Sequence, residues 1–206
     1  MYSNQNKKDY KHKKQTFMKK ISLLIAFMLV VLTASSQTWV SDAAHSRLGF
    51  SITHLMISHV SGNFKQFEVK AVTTKPDYSD AKIEVIAQIA SINTDQEQRD
   101  THLKSPDFFD AQQFTTLIFK STSVVNIKGN EYRLIGNLTM HGVTKQVVLD
   151  LTFEGKVTNP MNKKDIAVFT LKGTLKRSDF GIGSKFPAAM VGDEVTVNAS
   201  IELSPI

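Results

Sequence analysis

Beyond the first three dozen residues the chain carries five histidines, His45, His54, His59, His102 and His141, the side chains best suited to proton transfer or metal ligation near neutral pH. Their spacing argues against local sites. His45 and His54 are nine apart and Asp42 and His45 three apart, so on one continuous strand the members of each pair face opposite ways. On a helix Asp100 and His102, two apart, diverge. The chain has no metal-ligand spacing, no Gly-x-Ser-x-Gly elbow, no phosphate loop and no dinucleotide fingerprint. Without cysteine it has no thiol nucleophile, thiolate ligand, disulfide or lipidated cysteine. Arg99 with Asp100, and Arg177 with Asp179, read as structural pairs or caps. Neither a catalytic residue nor a metal site is expected, although convergence of His54, His59, His102 and His141 through the fold stays open.

The elements that would position these residues are strands. From Trp39 onward apolar residues recur at every second position, between turn-forming breaks. Eight segments are predicted: 47–53, 64–72, 81–92, 116–127, 132–140, 146–156, 165–175 and 195–203. Lys128-Gly129-Asn130, His141-Gly142 and Asn159-Pro160 are among the breaks, and short connections make neighbours antiparallel. Thr94 followed three residues later by Glu97 predicts a capped helix to about Leu103, and 54–60 is read as a second helical turn. Nearly every strand has one oily face, as in Ile83, Val85, Ala87 or Val147, Leu149, Leu151. Eight such faces are buried together by closing into a barrel wide enough for its own side chains or one ligand. Gly136, Gly173, Ala87 and Ala199 fall on the inward parity and are expected to leave room. An outer-membrane barrel is disfavoured, since aromatic girdles are missing.

Residues 1–36 differ from the rest. Seven lysines precede the apolar run Ile21–Leu32, and Thr33-Ala34-Ser35-Ser36 follows it, the order of a secretory signal. That run is short for a spanning helix, and Met18 is an alternative start. The leader holds seven of the 25 basic residues and one of the 19 acidic ones, leaving 18 of each in the remainder. A neutral domain has no electrostatic case for nucleic acid. The reading is one domain over 37–206, exported to a periplasm or secreted.

These residues resemble the YceI-like family of exported, lipocalin-like, polyisoprenoid-binding proteins. The resemblance is carried by Asp42-x-x-His45-Ser46-x-Leu48-x-Phe50-x-Ile52-x-His54, Gly62-x-Phe64, Ile92-x-Thr94, Arg99-Asp100-x-His102-Leu103-Lys104-Ser105-x-Asp107-Phe108-Phe109-Asp110, Gly136-x-Leu138-Thr139-x-His141-Gly142-Val143-Thr144 and Arg177-Ser178-Asp179-Phe180-Gly181, in the family's order. It implies an all-β, eight-stranded antiparallel barrel with a short helix near one opening. The ligand it implies is a polyisoprenoid, isoprenoid quinone or fatty-acyl lipid, with no cofactor.

On that footing Phe50, Ile52, Phe119, Leu138, Phe153, Phe169 and Val197 are expected to line the interior, and Phe108, Phe109, Phe114, Phe180 and Met190 its mouth. Arg99, His102, Arg177 or Lys185 would meet a polar head group. Transient membrane contact and a homodimer are compatible with this reading. Two others stay open: an enzyme acting on a hydrophobic substrate at the mouth, and a packed barrel without ligand.

Overall fold

The computed structural model describes residues 36–206 and, before them, Lys14 alone. The expected export signal, those two positions apart, lies outside the described residues. Eleven strands and one helix follow in order: β1 (Gln37–Ser41), β2 (Arg47–His54), β3 (Ser58–Phe64), β4 (Phe67–Thr73), β5 (Lys82–Gln88), β6 (Ile92–Asn93), α1 (Glu97–Leu103), β7 (Thr116–Lys128), β8 (Glu131–Met140), β9 (Val143–Thr158), β10 (Asp165–Lys176) and β11 (Val191–Pro205).

Eight of the strands close a ring, β1-β4-β5-β7-β8-β9-β10-β11, sealed by pairing of β11 with β1. Every pairing is antiparallel, as the short connections require. The remaining short strands extend this ring. β1 and β2 lie in succession along β11, with Ser41 opposite Leu203 and Arg47 opposite Ser200, so together they fill one strand position broken by a turn at 42–46. β4 and β3 likewise form one bent position, and β5 and β6 another, with a 3₁₀ turn at Ile89–Ser91 between them. The eight-stranded antiparallel barrel is thus the observed architecture, with three of its positions interrupted.

The side-chain period of two puts one row of each strand inside. Val69, Phe119, Leu134, Leu138, Leu149, Phe169 and Ile201 pack there in one buried cluster. A smaller cluster of Phe64, Ala87, Ile89 and Ile92 lies where the bent positions cross towards α1.

Three local expectations are corrected. Residues 54–60 are not helical. His54–Ile57 is a tight turn and Ser58 opens β3, whose Val60 pairs with Ile52. The β-branched Ile52, Thr53 and Val60 suit a ladder better than a helical turn. The cap of α1 is Gln96, whose side chain accepts from the Arg99 amide. Thr94 is instead buried, with its amide (2.8 Å) and hydroxyl (2.5 Å) donating to the carboxylate of Asp100. The inward glycines leave little room: a Cβ at Gly136 would meet the Phe119 ring, and one at Gly173 would meet Leu149. Large neighbours have filled the missing side chains' places.

Candidate ligand-binding hollow

The ring positions two caps. At one end β10 stops at Lys176 and β11 begins at Val191, and the intervening segment folds over the rim beside α1 and residues 104–115. Arg177 holds that segment. Its guanidinium is buried and donates to five carbonyls: Nε to Gly192 (3.0 Å), Nη1 to Ile182 (2.9 Å) and Gly183 (2.7 Å), Nη2 to Phe186 (2.6 Å) and Val191 (2.9 Å). Five donors in a planar fork suit this cage of carbonyls, which an ammonium's three cannot fill. Phe108 stacks on Phe186 with centroids 4.8 Å apart, and the His102 ring packs edge-on against both. Lys185 Nζ lies 2.6 Å from Asp107 Oδ1, and His102 Nε2 lies 3.4 Å from Asp107 Oδ2. Lys185 chiefly, then His102, holds the Asp107 carboxyl below the usual carboxylate range.

At the opposite end the segment between β4 and β5 crosses the barrel. Tyr78, in the left-handed region at φ 58°, sets its ring against Trp39 (6.1 Å), Phe153 (5.3 Å) and Phe169 (5.2 Å). Tyr132 Oη donates to the Asp77 carbonyl (2.9 Å). Asp80 fastens the segment, accepting from the Thr73 hydroxyl (2.6 Å), the Thr74 amide (2.9 Å) and hydroxyl, and the Lys75 amide (3.2 Å). Those donors, Thr73 first, hold its carboxyl far below the usual range. Burial pushes the Tyr78 phenol up.

Between the caps lies a hollow of about 150 Å³, running from Trp39 and Tyr78 to Phe50 and Phe64. That is room for about five water- or methylene-sized groups, at roughly 30 Å³ each. Its wall is almost wholly hydrocarbon. Phe50, Phe119, Leu138, Phe169 and Val197 are in that wall. The other expected residues lie elsewhere. Ile52 sits between Val60 and Val195, beyond the wall. Phe153 packs under Tyr78, Phe109 lies edge-on behind Phe64, and Phe108 belongs to the cap. Phe114 covers His141, whose Nδ1 lies 3.0 Å from the carbonyl of the buried Phe180. Met190 is on the surface. Of the expected head-group residues, Arg177 is committed to its carbonyls and Arg99 to Thr94, through Nε to Oγ1 and Nη2 to O, both at 2.7 Å. Lys185 and His102 share Asp107.

Sequence reasoning missed Trp39 and Tyr78. Trp39 precedes the first predicted strand and Tyr78 sits in a stretch with turn composition. Trp39 is the single tryptophan of the chain. Its indole Nε1 is buried with no partner among the described residues. Also missed is the contact of Asp42 with His45, for which strand parity is the wrong rule because the strand breaks at 42–46. Nδ1 of His45 lies 3.1 Å from Asp42 Oδ2 and 3.9 Å from Glu202 Oε1. Among the described residues these three form a group able to offer one atom each to a cation, and none lies in the wall of the hollow.

Comparison with known proteins agrees with this geometry. The family described as the YceI-like domain matches residues 39–203. A UPF0312 protein of Staphylococcus aureus (strain N315) is 37% identical over 167 residues, covering 79% of this chain and 95% of that protein. The crystal structure of a Campylobacter jejuni YCEI protein, 34% identical, covers 74% of this chain and 89% of its own with a TM-score of 0.66. Two more distant structures share the fold. Burkholderia cenocepacia BcnA has a TM-score of 0.71 at 22% identity, covering 79% of this chain and 98% of its own. A polyisoprenoid binding domain from Saccharophagus degradans has a TM-score of 0.59 at 12% identity, covering 82% and 98%.

Proposed function

The chain belongs to the YceI-like family, and from that premise we propose that it is an exported carrier that binds the aliphatic chain of an isoprenoid or other long-chain lipid in its barrel. The observation that carries the reading is the hollow, a long apolar space between the two caps that side chains leave unfilled. A protein stabilised only by its own core has no use for such a void, which forfeits contacts on every side. An alkyl chain would recover them.

Transfer of a methylene from water is worth about 0.8 kcal/mol, so about five groups supply on the order of 4 kcal/mol, which only matches association costs of at least about 4 kcal/mol. That favours chains long enough to gain more by extending past a cap. Selectivity then rests on length and width, because the wall offers an alkyl chain no polar partner. A charged head group buried there would cost several kcal/mol, so it stays at an end. At the helix end it would exchange with Asp107 for Lys185 and His102. The resemblance of the named Saccharophagus domain supports an isoprenoid as one such ligand. The basic leader and apolar run support export, to a periplasm or to the medium. Binding, not turnover, is the activity proposed.

The test is solvent extraction of protein purified without detergent, followed by mass spectrometry, and titration of the stripped protein with prenyl and fatty-acyl probes. Trp39 lines the hollow, so its emission reports occupancy. A recovered long-chain lipid and a saturable change in Trp39 emission are expected. No lipid and no probe uptake would overturn the reading.

A further inference from the structure

The β2–β3 hairpin ends in Leu55-Met56-Ile57, and these side chains are 50%, 73% and 89% exposed. The turn is an unusual place for them. Its two central residues, Leu55 and Met56, have φ of 50° and 61°, and Ile57 N donates to the His54 carbonyl. This is the primed hairpin turn that asparagine and glycine favour, and bulky side chains adopt it only at steric cost. Strain of this kind marks positions held for something other than stability.

Met190 extends the patch. It is 47% exposed, and its carbonyl accepts from the Leu55 amide at 3.0 Å. From His54 to Ser61 the hairpin carries no Asp, Glu, Lys or Arg. Over Ser58–Gly62, β3 pairs with β2 alone among the described strands, so the tip is a projection and not part of a sheet face. It stands at the helix-capped end, where β10 gives way to β11.

We propose that this tip, with Met190 beside it, is a bilayer-docking element that inserts into the acyl region of a lipid surface and brings the helix-capped end of the barrel against it. Four side chains on a convex point are far fewer than the 20–30 residues a side of a stable protein interface, whereas shallow insertion of apolar residues needs no matching surface. A lipid surface is also where a water-insoluble ligand would be collected or released, and in this respect the proposal rests on the carrier function above. With no charged residue at the tip, docking is insensitive to salt.

The test uses phosphatidylcholine vesicles, with and without phosphatidylglycerol, and the pair of substitutions Leu55→Asn with Met56→Gly, which supplies the residues the turn prefers and so keeps the fold. The wild-type protein should co-sediment with both vesicles, and the substituted protein should lose at least tenfold in vesicle affinity while taking up prenyl or acyl probe as before, read from Trp39. Absence of wild-type binding, equal binding by both proteins, or a solution dimer that the substitutions dissolve would each overturn the proposal. Vesicle binding that persists when no probe is taken up would support docking and sink the carrier reading alone.

Discussion

The Phe119 ring occupies the place where a side chain on Gly136 would begin, although the two residues lie on neighbouring strands and Phe119 itself pairs with Leu138. The wall of the hollow is therefore set by a matched pair. Gly136→Ala should push the ring off its rotamer and cost about 1–3 kcal/mol, and Phe119→Ala about 3–5 kcal/mol while enlarging the hollow. In urea denaturation the double substitution should cost less than the sum of the two, since the clash with the ring goes and only that with the Lys120 carbonyl oxygen stays. Strict additivity would mean that the contact does not shape the wall.

Arg177 offers a second test. Arg177→Lys keeps the charge but leaves carbonyls of the five without a donor, so a loss of about 2–5 kcal/mol is expected. Limited proteolysis should begin within 181–190. If lysine melted with arginine's Tm, the guanidinium would have no special part in holding the cap.

Acid should loosen the opposite cap. The native pKa of Asp80 is depressed, so its contribution is whole above the ordinary value of 3.8 and is lost as the pH falls below it through the native value. Trp39 emission should change as Tyr78 lifts away in this range. Asp80→Asn should show the loosened state at neutral pH and a flatter acid profile; an unchanged profile would place the acid sensitivity elsewhere.

At the break between β1 and β2 the sign is reversed. The hydrogen bond to Asp42, then the charges of Asp42 and Glu202, raise the His45 pKa above 6.5. The pairing of charges is therefore complete below 6.5 and fades as the pH rises through the native value. Asp42, depressed by the same contact, sets the acid limit below 3.8. Proton NMR should find His45 titrating above 6.5, and Asp42→Asn should bring it down. A His45 pKa that ignores this substitution would remove the contact.

Alternation made the barrel legible. Rows such as Val147, Leu149 and Leu151 have one oily face, and each of the eight predicted segments corresponds to one strand position. What alternation cannot report is an interruption. β1 holds only five residues, and its one inward aromatic, Trp39, stood isolated; the break after it invalidated the parity argument for Asp42 and His45. The helix was found but its cap misplaced, because Thr94 answers to Asp100 through tertiary contact and not to its own helix. Part of the wall was legible through Phe50, Phe119 and Phe169. Tyr78 was not, since a turn residue carries no face until the chain is folded over the barrel's end.

The seal between β1 and β11 joins Trp39 to Pro205, near opposite ends of the described chain. Such a closure has high contact order, and its loop entropy must be overcome before the contact is made. During synthesis, β1 waits unpaired on this edge until β11 has been produced. Ring formation is therefore a late event in the life of the nascent chain, and the greasy inner rows remain exposed to proteases, chaperones and each other until it occurs.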